Sequence, residues 1–138
     1  MTPVSPPPRP GPRNLGLADL SAYRLPLPGI VSILHRASGA LLFLTLPASL
    51  WLFEMSLSSE VSYARLVQFA TPLPVRLALL VLFWALAHHA CAGVRFLLLD
   101  LHIGGERLAA RRGARLVLAA SLALTALAAV GLLAGGAR

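Results

Sequence analysis

Three histidines stand inside otherwise apolar stretches of this sequence: His35, His88 and His89. An ionisable side chain deep in apolar surroundings is costly, so its presence there points to pairing or to function. His89 is followed by Gly93, one helical turn on and on the same face. Imidazole is the usual axial ligand of haem iron, and a glycine removes a side chain where a flat macrocycle could lie. His88 falls instead on the face of Arg95, seven residues away. The plainer reading makes both histidines packing residues that hydrogen-bond across helices. A second cluster comprises Ser32, His35, Arg36 and Gly39, spaced i, i+3, i+4, i+7 and therefore on one helical face. A hydroxyl and a guanidinium there can donate hydrogen bonds to an oxygen that gains negative charge. The plainer reading has Arg36 reaching the membrane surface along its own stem and His35 satisfied at the interface. The single cysteine, Cys91, excludes an internal disulfide and a cysteine-built zinc or iron–sulfur site; it reads as a small packing residue.

The elements that must hold these groups follow from composition. Of 138 residues, 57% are hydrophobic and 12% charged, against about 25% charged in a soluble domain. With a mean hydropathy of +0.77, this excludes a soluble globule and a disordered chain alike. A hydrocarbon core needs about 20 apolar residues per helix, and lipid tolerates only structures that satisfy their own backbone. Three segments qualify, at about 30–53, 75–99 and 116–137. The expected fold is an all-α membrane protein, with three transmembrane helices in an antiparallel up-down bundle. Pro47 in the first helix is expected to leave the Phe43 carbonyl unpaired and bend that helix. The third helix is bland, and its Ser121, Thr125 and small residues suit helix packing. Residues 1–29 form a proline-rich leader and an interfacial segment containing Tyr23 and Arg24; residues 30–138 form the anchor. The leader has neither the apolar region of a secretory signal nor the pattern of a transit peptide. The 54–74 connection is expected outside, with a short interfacial helix.

The formal charge is +7, and all 12 basic residues are arginine. They alternate with apolar blocks, which argues for membrane topology and against nucleic acid. Arg9, Arg13 and Arg24 in the leader and Arg107, Arg111, Arg112 and Arg115 after the second span outweigh Arg65 and Arg76. The positive-inside rule therefore puts the N-terminus in the cytoplasm. The start of the first helix and the end of the second then meet at the inner face. Ser32, His35, Arg36, Arg95 and Asp100 gather there, with His89 about 15 Å deep at 1.5 Å per residue, near the midplane. That layout suits a haem whose propionates point inward toward cations.

At these residues the chain resembles the cytochrome b (b556-type) membrane anchor of succinate dehydrogenase, respiratory complex II. That family carries a Ser–x–x–His–Arg–x–Ser/Thr–Gly motif, here Ser32-Ile33-Leu34-His35-Arg36-Ala37-Ser38-Gly39. Its second motif, His–x–x–x–Gly–x–Arg–His–x–x–x–Asp, reads here His89 to Asp100, with Phe96 where the family commonly has histidine. The resemblance implies that His89 is an axial ligand of haem b. It implies that Ser32 and Arg36 belong to a ubiquinone pocket, and His35 and Arg95 to the propionate region. It also implies a second small membrane anchor supplying the other axial histidine, an iron–sulfur subunit and a flavoprotein subunit that oxidises succinate. No flavin or nucleotide motif occurs in this chain. A bacterial inner membrane is the expected location, ahead of the mitochondrial one. Two alternatives are the b-haem anchor of a fumarate reductase-type enzyme and a haem-free membrane scaffold or small transporter subunit.

Overall fold

Prolines and serines place the helix starts. In the computed structural model, which describes residues 25–134, helix α1 spans Leu27–Ser58 and opens with a proline in its first turn. A proline there costs nothing, because its missing N–H has no helical acceptor and its φ is already helical. Helix α2, Glu60–Ala70, begins with a capping box: Ser59 Oγ accepts from the Ser62 N–H at 3.1 Å, and the Ser59 N–H donates to Ser62 Oγ at 3.0 Å. Helix α3, Leu73–Asp100, again has a proline in its first turn. Helix α4 spans Arg107–Ala134. The leader with Arg9, Arg13, Tyr23 and Arg24, and the predicted helix end at 137, lie outside the described residues.

Three of these helices, α1, α3 and α4, are long and apolar enough to cross a membrane. Consecutive spans run antiparallel, and α3 packs on both α1 and α4. Pro47 lies inside α1 without ending it. The short helix expected between the first two spans is α2.

The third helix starts at Arg107, nine residues ahead of the apolar segment expected from 116. Arginine is a good helix former, so Arg107, Arg111, Arg112 and Arg115 form the opening turns of α4 instead of a loop. Only residues 101–106 remain to turn the chain. The turn is a Schellman motif: Ile103 N–H donates to the Leu98 carbonyl at 2.9 Å, and His102 N–H to that of Leu99 at 2.9 Å. His102 takes the left-handed position, φ 62°, that the motif requires.

The packing is inverted relative to a water-soluble domain. Phe43, Leu44 and Leu127 are more than 70% exposed. The buried set includes Ser38, His88, Arg95 and Ser121. Between the helices the apolar contacts are small, with Ala92 and Ala114 fully buried beside Val31 and Val117. Small residues bring helix backbones close where lipid offers no hydrophobic drive to associate. Apolar surface outward and polar groups inward is the arrangement that hydrocarbon selects.

Candidate functional site

Antiparallel packing of α1 and α3 brings the two sequence clusters together at His35 and His89. Their imidazoles stack with centroids 4.2 Å apart and planes 11° from parallel. His89 Nδ1 lies 3.1 Å from the His35 backbone carbonyl. A carbonyl only accepts, so in the neutral ring the proton sits on Nδ1 and the lone pair on Nε2. Ser38 Oγ donates to the same carbonyl at 3.0 Å and lies 3.5 Å from His89 Nδ1. His89 Nε2 has no hydrogen-bond partner among the described residues, and the one buried unpartnered side-chain nitrogen or oxygen among them is His88 Nε2.

His88 occupies a different environment. It is fully buried, stacks on Trp84 at 5.3 Å, and its Nδ1 lies 3.4 Å from Ser121 Oγ on α4. Its Nε2 makes no hydrogen bond. Adjacent histidines thus face opposite neighbours: His89 faces α1, and His88 faces α4. Arg95, on the same face as His88, is buried too and donates to the Ala110 carbonyl of α4 at 3.4 Å.

The expected inner cluster is therefore split. The Arg95 guanidinium turns toward α4, while His35 faces α3. Phe96 lies between them, 5.1 Å from the His35 ring and 5.4 Å from the Arg95 guanidinium. Ser32 is half-buried and Arg36 exposed on the first turns of α1; Asp100 is exposed at the end of α3. The space beside Gly93, expected to be open for a macrocycle, borders His35: a methyl group there would stand 3.7 Å from His35 Nε2. Sequence reasoning missed the roles of Ser38, Gly39 and the His35 carbonyl. One signal was present. Both motifs contain His–x–x–x–Gly, and in an antiparallel pair each glycine meets the other helix's histidine.

Among the described residues no three His, Cys, Asp or Glu side chains converge. A metal held here by a single imidazole needs its other ligands from elsewhere.

The family model for the succinate dehydrogenase/fumarate reductase transmembrane subunit matches residues 12–128. The chain is similar to the succinate dehydrogenase cytochrome b556 subunit of Coxiella burnetii, with 34% identity over 84 residues, 60% of this chain and 67% of that protein. The same subunit of Rickettsia felis is 32% identical over 62% of this chain and 65% of its own length. The mitochondrial cytochrome b560 subunit of Dictyostelium discoideum is 30% identical over 62% of this chain and 45% of its own. A match over most of the sequence, on three apolar spans with polar groups turned inward, means that the chain belongs to the succinate dehydrogenase/fumarate reductase transmembrane subunit family.

Proposed function

We propose that this chain anchors a succinate:ubiquinone oxidoreductase in the membrane, binding b-type haem through His89 and ubiquinone through Ser32 and Arg36. The observation that carries the haem assignment is the His89 imidazole. Its Nδ1 proton is engaged by the His35 carbonyl at 3.1 Å, and its Nε2 is unpartnered well inside a membrane span. A metal-bound histidine typically has its second nitrogen fixed in this way by a backbone carbonyl. The donor set fits a haem, whose macrocycle brings four ligands of its own and asks one imidazole of this chain. Haem bound there supplies a one-electron redox centre inside the membrane. The relatives' name, cytochrome b556 subunit, supports the same choice.

The other axial position falls to a second small membrane anchor. His35 and Arg95 are the residues of this chain assigned to the propionate region, on either side of Phe96. Ser32 and Arg36 lie about 6 Å apart along the axis by helix geometry. Their O–H and N–H groups would hydrogen-bond a quinone oxygen as it gains charge. Arginine keeps its own proton, so quinol formation draws protons from water or a neighbouring acid. Succinate oxidation belongs to a flavoprotein subunit, connected through an iron–sulfur subunit on the cytoplasmic side of a bacterial inner membrane. The family also covers fumarate reductase, in which the same residues would serve the opposite direction.

The test is His89→Leu in the coexpressed complex, read by reduced-minus-oxidised optical spectra and by electron paramagnetic resonance (EPR). The low-spin b-haem signal should disappear. An unchanged bis-histidine signal would assign the ligand elsewhere.

A further inference from the structure

A helix carbonyl is normally poorly accessible from the side. Each Cα–Cβ bond tilts toward the helix N-terminus, so the side chain at i+4 covers the carbonyl at i. The His35 carbonyl has Gly39 at that position. With no side chain there, the His89 ring of α3 presses against the α1 backbone. A methyl group on Gly39 would stand 2.8 Å from His89 Cε1 and 3.1 Å from Nδ1. Those distances are too short for the ring to keep its place, and both contacts are to the imidazole itself, which has only two torsions with which to move away. Ser38, 3% exposed, closes the other side of the same notch, with its Oγ on the His35 carbonyl and beside His89 Nδ1.

We propose that the Ser38–Gly39 step of α1 is a seat that fixes the position and the plane of the His89 imidazole, Gly39 by admitting the ring to the His35 carbonyl and Ser38 by bordering its Nδ1. Both are positioning residues: neither is assigned a contact with haem or quinone. The inference rests on His89 being the axial ligand. It adds that the orientation of the ligand, and with it the electronic character of the haem, is set from the neighbouring helix. A rotated imidazole plane changes the overlap with the iron orbitals, and a weakened Nδ1 hydrogen bond makes the ring a poorer donor to the metal.

The experiment uses the complete complex with Gly39→Ala, Ser38→Ala, His89→Ala, and Gly39→Ala combined with His89→Ala. The readouts are assembly, haem content, the highest EPR g-value of the low-spin haem and its midpoint potential. Gly39→Ala should lower haem content several-fold or, in the loaded fraction, shift both the g-value and the potential. Ser38→Ala should shift them in the same direction by less. Where Gly39→Ala blocks assembly, adding His89→Ala should restore it to the level of His89→Ala alone, because the added methyl group then has no ring to meet. Gly39→Ala complexes with native haem content, g-value and potential would overturn the seat while leaving His89 as ligand. An assembly defect in the double variant beyond that of His89→Ala alone would overturn it equally. Retention of the haem signal in His89→Ala would instead overturn the ligand assignment, on which the seat depends.

Discussion

Replacing His88 by leucine separates the two adjacent histidines and gives a stability change that follows from the geometry. His88 Nδ1 lies 3.4 Å from Ser121 Oγ, and the Ser121 hydroxyl also has the Leu118 carbonyl as an acceptor at 3.1 Å. His88 Nε2 is buried and makes no hydrogen bond. A buried polar atom left unsatisfied costs about 1–3 kcal/mol, which leucine removes. Leucine gives up the long hydrogen bond to Ser121, about 0.5–1 kcal/mol. It also gives up the stack on Trp84, about 0.5–1.5 kcal/mol. Ser121 is not orphaned, since its donor still has Leu118. The opposing terms leave a net change between about 1.5 kcal/mol of loss and about 2 kcal/mol of gain. The assay is thermal unfolding of the purified complex, followed by Trp84 fluorescence and by the haem absorbance. The expected result is a melting temperature near that of the native protein with the low-spin haem spectrum intact. Loss of the haem signal in an assembled complex would make His88 the ligand. A stability loss above about 3 kcal/mol, the scale of breaking a satisfied buried polar network, would mean that Nε2 has a partner in the membrane.

Two further outcomes are expected. Ser32→Ala should slow quinone reduction by the worth of one hydrogen bond, about 0.5–1.5 kcal/mol or two- to twelvefold, and Arg36→Leu should slow it more because a charged donor is lost. Both should leave succinate oxidation with an artificial acceptor intact; normal quinone turnover and inhibitor sensitivity in both assembled variants would move the pocket elsewhere. The positive-inside rule predicts an N-inside orientation, and neutralising Arg107, Arg111, Arg112 and Arg115 should disturb it more than neutralising Arg65 and Arg76. Labelling of a cysteine placed at the C-terminus, with Cys91 first replaced by alanine, reads this out; cytoplasmic labelling of the otherwise unaltered chain would reverse the topology.

The spans were legible because long uncharged stretches have one structural solution in lipid. The start of α4 was not, because its arginines look like a loop when charge alone is weighed. Their helix propensity and long stems let them continue a helix out of the membrane. The seven-residue spacing of His88 and Arg95 correctly put both on one face, and the structure shows that this face is the one against α4. His89 could be singled out by depth, but not what holds it. A backbone carbonyl has no letter in a sequence, and the His35 carbonyl becomes a binding group only through the register of α1 against α3. Phe96 stood out as a departure from the family motif. Its place between His35 and Arg95 depends on side-chain directions that spacing does not encode.

The turn at residues 101–106 is short, and the polar groups of α3 that face α4 find their partners across it: His88 with Ser121, and Arg95 with Ala110. During synthesis α3 emerges first. Alone in lipid it would present Arg95 uncovered, five residues from the end of the helix, where an arginine costs less than the roughly 2.5–3.5 kcal/mol of a span's centre but still gains from a partner. The cost falls once α4 lies alongside. The tight hairpin is therefore expected to make α3 and α4 a single unit of membrane insertion. The consequence to test is that α3 inserts poorly until α4 has been made and lies alongside it.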